Sequence, residues 1–216
     1  MSENEHQMFQ DHQQHTAVST AADFGVGARV TLAVMADDFA EVITRALRET
    51  DSTGLELQSD SVSTFVRGDE QRICDYLCGL IATVGRTGRH ASASVLLSRG
   101  CPGEVCRVID ELPLVSPPVL ALTGIPVIAQ WALYPLSDGA TAERSADHMR
   151  DITAVIDDAR ARRTFLRGDH FVTTLSGDLA EVIATVAAGW VDVGRHVQHV
   201  TTHATISINS PTADRP

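Results

Sequence analysis

The chain has 216 residues, 44% of them hydrophobic but only 5% aromatic, and a formal net charge of −11. That length suits one large domain or two small ones, with a core built from Val, Ile, Leu and Ala rather than from rings. The acidic balance argues against nucleic-acid backbones and anionic membranes as partners; it suits a cationic small ligand, or simply solubility.

Residues 1–27 are polar, rich in Gln and His, and without period, which predicts a disordered tail. They contain no basic segment leading into an apolar run, so no secretory signal is expected. No stretch approaches the ~20 apolar residues that span a bilayer. A cytoplasmic protein is the expectation, with Cys74, Cys78, Cys101 and Cys106 reduced.

From Ala28 the pattern becomes periodic. "ARVTLAVM" reads as a strand and "DDFAEVITRALRET" as a helix capped by Asp37 or Asp38, with Phe39, Val42, Ile43, Ala46 and Leu47 on one stripe. "GLELQSDSVSTFVRG" reads as two short strands turning near Ser59-Asp60. "DEQRICDYLCGLIATVGR" reads as a helix capped by Asp69, and "HASASVLLS" as a strand. The Pro-rich stretch 103–127 is a connector, and Val119, Leu120, Leu122 and Ile125 predict that it packs on the surface. The same order then returns: strand "VIAQWALYP", helix "HMRDITAVIDDARAR", strands within "TFLRGDHFVTTLSG", helix "DLAEVIATVAAGWVDVGR" and strand "HVTTHATISIN". The expected units are therefore 28–102 and 128–212.

Register supports a duplication. Asp60 and Asp169 are 109 apart, and that shift runs without a gap to Pro102/Pro211, with 10 identities in 43 pairs. Roughly two or three would be expected from composition. The tripeptide Arg-Gly-Asp also occurs twice, at 67–69 and 167–169, but 100 apart and so out of register. Asp69 matches Asp178, and Asp169 matches Asp60.

The β-α-β-β-α-β order predicts tandem ferredoxin-like repeats, an α+β fold in which each unit is a four-stranded antiparallel sheet with two helices on one face. Alternation assigns Val62, Thr64 and Val66, Ala91 to Leu97 at every second position, Trp131 and Leu133, Phe171, Thr173 and Leu175, and Val200 to Ile206 at every second position to the helix side. Ser61, Ser63, Phe65, Ser92, Ser94, Gln130, Tyr134, His170, Thr174, Thr201, His203 and Thr205 then point away. That second face is rich in hydroxyls, and suits hydrogen bonding to a heteroaromatic ligand or plain solvation.

In order from about Ala28 to Thr212, "TLAVMADDF", "DSVSTFVRG" and "CPG" in the first unit, and "ALYPL", "TFLRGDHF", "LSGD" and "SINSP" in the second, resemble the YkoF-type thiamine/hydroxymethylpyrimidine-binding proteins. The resemblance implies tandem ferredoxin-like repeats, usually dimeric, with a thiamine-type site in each. It implies a non-enzymatic role in uptake or salvage of thiamine or its hydroxymethylpyrimidine precursor, with a functional link to a membrane transporter. No metal or cofactor is implied. Such a ligand would use Asp60 and Asp169 as acceptors for its amino group, and Ser61, Ser63, Ser92, Ser94, His170, Thr174, Thr201, His203 and Thr205 as donors or acceptors. A thiazolium cation favours an aromatic face or carboxylates, for which Tyr134 and Asp138, or Asp37 and Asp38, are the candidates. The plainer readings are helix caps for Asp37 and Asp38 and turn residues for Asp60 and Asp169. The family pattern Leu-Tyr-Pro stands in the second unit as Leu133-Tyr134-Pro135, whereas the first reads Leu32-Ala33-Val34. The second site is therefore expected to bind better, or the first to take a different ligand.

Two rivals remain. His196, His199 and His203 raise a metal enzyme, but their spacing along a turn and a strand is poor for one ion, and no nucleophile elbow or phosphate loop occurs. A regulatory module binding another small ligand, such as an amino acid, would share the fold, so fold alone does not decide.

Overall fold

The computed structural model describes residues 21, 23–105, 114–136 and 148–212. The strands are β1 (Gly27–Val34), β2 (Glu56–Ser59), β3 (Thr64–Arg67), β4 (Ala91–Arg99), β5 (Pro126–Leu136), β6 (Phe165–Asp169), β7 (Val172–Asp178) and β8 (His199–Ile208). The helices are α1 (Phe39–Glu49), α2 (Glu70–Gly85), α3 (His148–Ala161) and α4 (Leu179–Val193). Each half runs β-α-β-β-α-β, so the α+β tandem ferredoxin-like architecture stands.

The halves do not stack face to face. They join edge to edge in one eight-stranded sheet of order β2-β3-β1-β4-β8-β5-β7-β6. Every pairing is antiparallel, including the β4–β8 seam. At the seam Val95 pairs with Ala204, its own equivalent under the shift of 109, so a pseudo-twofold axis passes through that pair. Alternation along β4 and β8 buries Ala91, Ala93, Val95 and Leu97 beside Val200, Thr202, Ala204 and Ile206. One continuous apolar layer thus runs under α2 and α4.

The second helix of each half begins at the expected aspartate. Asp69 accepts from the Arg72 amide at 2.8 Å. Asp178 accepts from the Ala180 amide at 2.8 Å, and Glu181 closes a capping box. Asp178 also holds the connector, taking hydrogen bonds from the Thr123 and Gly124 amides at 3.1 and 2.6 Å. The connector crosses to α2 as well, where Gln71 and the Val119 backbone exchange two hydrogen bonds of 2.9 Å. Leu120 packs against the core and Ile125 is buried.

Several expectations change. Packed chain starts before residue 28: Phe24 and Val26 are buried, and the buried Arg99 guanidinium lies 5.2 Å over the Phe24 ring. Residues 1–20 and 22 of the expected tail, Cys106, Asp138 and the long loop after Leu136 fall outside the described residues. Val119 and Leu122 are exposed, because backbone hydrogen bonds rather than their side chains fix the connector. Val62 and Phe171 do not face the helices. Both sit in turns beyond the ends of the strands, where alternation no longer applies, and both are exposed. Asp38 precedes α1 without capping it, since its carboxylate is taken by the Arg89 guanidinium. Gly168 and Asp169 end β6, and the turn itself is His170-Phe171.

Among the described residues, no helix is long and apolar enough to cross a membrane. Cys74 and Cys78 are buried free thiols, and burial pushes the Cys78 thiol up to about 11; Cys101 is free and half-buried.

Candidate functional site

Two clefts occupy equivalent places in the two halves. Cleft one, about 560 Å³, lies between β1, the β2–β3 turn and α1. Cleft two, about 460 Å³, lies between β5, the β6–β7 turn and α3. Both follow from a mismatch in strand length. The pairing of β1 with β3 ends at Val30↔Thr64, yet β1 runs on to Val34 against β4 alone. The pairing of β5 with β7 ends at Trp131↔Thr173, yet β5 runs on to Leu136 against β8 alone. Each cleft therefore opens on a strand edge whose outer partner has turned away. Alternate residues of such an edge direct both an N–H and a C=O into the gap.

Each mouth carries a carboxylate from the hairpin. Asp60 makes its turn by accepting the Val62 and Ser63 amides at 2.7 and 2.8 Å. Arg29 reaches it from β1 at 3.0 Å and donates to Ser63 Oγ at 2.7 Å. These bonds, the Ser63 and Val62 amides first and then Arg29, hold the Asp60 carboxyl below its ordinary value. Asp169 accepts the His170 amide at 2.9 Å and Arg167 at 3.3 Å, and the same causes in that order hold it low. A carboxylate offers about four lone-pair positions. Asp60 has filled three and Asp169 two, so both retain acceptor capacity as anions.

The linings differ. Cleft one is rich in hydroxyls, with Thr31, Ser59, Ser61, Ser63 and Thr64, and its aromatic is Phe39 on the helix wall, 53% exposed. In cleft two Ala132, Gly168 and Val172 stand where cleft one has Thr31, Ser59 and Ser63. Its aromatics are on the sheet and the hairpin: Tyr134, 49% exposed, and Phe171. The β-ladders confirm that Tyr134 corresponds to Ala33, for Ala33 pairs with Ser92 and Tyr134 with Thr201, and Ser92 and Thr201 are themselves 109 apart. The floors also exchange bulk. Val30 and Leu80 in cleft one become Trp131 and Gly189 in the second half. A Cβ on Gly189 would come within 2.9 Å of the Trp131 ring, whose N–H donates to Thr202 Oγ1 at 2.7 Å.

Of the twelve residues expected at the site, Asp60, Ser61 and Ser63 line cleft one, and Tyr134 and Asp169 line cleft two. His170 is at the exposed hairpin tip. Ser92, Ser94, Thr201, His203 and Thr205 lie on the uncovered sheet face and line neither cleft. Across the seam, Ser94 Oγ lies 2.9 Å from His203 Nε2 and Ser98 Oγ 3.3 Å from Thr201 Oγ1. Thr174 is on that face too but is only 1% exposed, buried among its neighbours rather than available to a ligand. His196 bonds Asp151 at 3.1 Å, and no metal-holding cluster occurs among the described residues. The free strand edges, Arg29, Phe39 and Phe171 were missed. The one sequence signal for the last is that Val62 and Phe171 are 109 apart, two apolar residues at one hairpin position.

The sequence matches the YKOF-related family over residues 25–104 and 127–213, one match to each half. A curated protein of Bacillus subtilis (strain 168), named "Putative HMP/thiamine-binding protein YkoF", is 29% identical over 197 residues, covering 86% of this chain and 90% of that one.

Proposed function

The chain belongs to the YKOF-related family, and on that premise we propose that it binds thiamine or its hydroxymethylpyrimidine precursor in the two clefts and does not transform it. It acts in the cytoplasm as a homodimer, in uptake or salvage of the vitamin, functionally linked to a membrane transporter of thiamine precursors. The observation that carries the binding role is the pair of equivalent clefts, each joining a free strand edge to an ionised carboxylate. An aminopyrimidine presents an N–H donor beside a ring-nitrogen acceptor. A strand edge answers with a C=O and an N–H, and the open lone pairs of Asp60 or Asp169 take the second amino hydrogen. The name of the Bacillus relative agrees with that ligand class.

Titration calorimetry with thiamine and with hydroxymethylpyrimidine tests this. Asp60→Asn is expected to weaken one class of site and Asp169→Asn the other, each by roughly three- to tenfold because the carboxylates are solvated. Absence of heat with both pyrimidines, together with a thermal shift from amino acids, would show the regulatory-module reading to be right instead.

A further inference from the structure

Phe171 is placed at a double cost. Asp169 pairs with Val172, so His170 and Phe171 form a two-residue hairpin turn. Phe171 is its second residue, with φ +64°. That left-handed position is the one Gly or Asn fills in such turns, since a Cβ there crowds the backbone. The ring is also 98% exposed. Its ring contact is with its neighbour His170, tilted and 6.5 Å away. Thus the fold bears a strained backbone and a wetted aromatic ring with no packing in return, although glycine would remove both costs. The position is at the lip of cleft two, which Tyr134 also lines. Its equivalent in the first half, Val62, is also apolar, also at the lip, and 73% exposed.

We infer that Phe171 is a specificity-determining residue of cleft two, closing with Tyr134 on a cationic heteroaromatic ring. The inference rests on the thiamine-binding reading above and assigns the thiazolium to this lip. The ring faces are electron-rich, and a ring cation held between two of them is attracted beyond what its area supplies. Ligand burial then recovers the apolar surface that the free protein leaves in water. Val62 and Ala33 offer no such faces at the equivalent positions, and Phe39 is the one ring lining cleft one, so cleft one lacks the pair of faces that would enclose a cation.

The test uses the full chain with Asp60→Asn, which weakens cleft one, and adds Phe171→Asn, which suits the left-handed turn. The expected melting temperature is equal or higher, while thiamine binds ~10-fold more weakly and hydroxymethylpyrimidine, lacking the cation, loses less. Phe171→Tyr should restore thiamine affinity. Stability and affinity moving in opposite directions is what a purely structural role would not produce. Unchanged thiamine affinity in Phe171→Asn overturns the inference while leaving thiamine binding intact. So does a variant that dissociates an oligomer without losing affinity, which would place the ring at a contact between copies. If the unmutated chain binds neither pyrimidine, the underlying reading and this inference both fail.

Discussion

Cleft one and cleft two share a frame and differ in lining. In both, a strand outruns the partner on its outer side, a hairpin aspartate is tied down by its own turn, and an arginine donates to it. Even the arginine is not equivalent: Arg29 comes from β1, where the second half has Gln130, and Arg167 comes from β6, where the first half has Gln58. Hydroxyls dominate one lining and aromatic rings the other. Duplication has kept what makes the cleft and the anion at its mouth, and has let go of what selects the ligand. Under the proposed function, a neutral, hydrogen-bonding pyrimidine is expected to favour cleft one, and a molecule with a cationic second ring cleft two.

The largest effect should come from the floors. Trp131 is buried and hydrogen-bonded, so Trp131→Val should cost about 3 kcal/mol, from lost burial and the space left behind. Gly189→Leu alone should also destabilise, because Trp131 occupies the space a side chain needs. Together they rebuild the Val30–Leu80 arrangement of the first half. Chemical denaturation should then show the double variant at least ~2 kcal/mol more stable than the sum of the singles predicts. Additivity would mean that the two floors are not alternative solutions to one packing problem.

A smaller effect is expected at the aromatic position. Tyr134→Ala should weaken cleft two by roughly five- to tenfold and leave cleft one unchanged, and Ala33→Tyr should strengthen cleft one for thiamine by a similar factor. Calorimetry resolves the two sites. Equal losses at both from Tyr134→Ala, or no gain from Ala33→Tyr, would remove the asymmetry.

These equivalences also explain what was legible in the sequence. The shift of 109 holds from Asp60 through β3, α2 and β4, so the caps, the seam strands and the repeat itself could be read directly. It fails in the first half of each unit. Val30 matches Trp131 at a shift of 101, and the buried Val42 and Ala46 match Val155 and Ala159 at 113. Insertions around the first helix account for the change. Each cleft lies between the part in register and the part out of it, so its two walls could not be matched from the sequence. Alternation then misled in a specific way. It tells which face a strand residue takes, but not where the strand stops. Reading Ser61–Ser63 as strand put Val62 in the core and moved the site to the open face, whereas the Asp60 side chain bends those residues into a turn.

The smallest effect is an expected constancy. Backbone amides and an arginine hold both Asp60 and Asp169 below the usual carboxylate range. A carboxyl depressed in the folded state contributes what it contributes above its ordinary value near 4, and loses it only as pH falls through the lower folded value. Comparing each aspartate with its Asn variant cancels any titration of the ligand or of other groups. The wild-type-to-Asn difference in affinity should therefore stay flat from pH 8 to pH 5 in both clefts, although Asp60 has three tethering donors and Asp169 two. A difference that shrinks between pH 6 and pH 5 would mean that the carboxyl at that mouth is not held low by its turn in the free protein. If it shrank in cleft two alone, the weaker 3.3 Å contact from Arg167 would be the reason, and the two mouths would differ in strength as well as in lining.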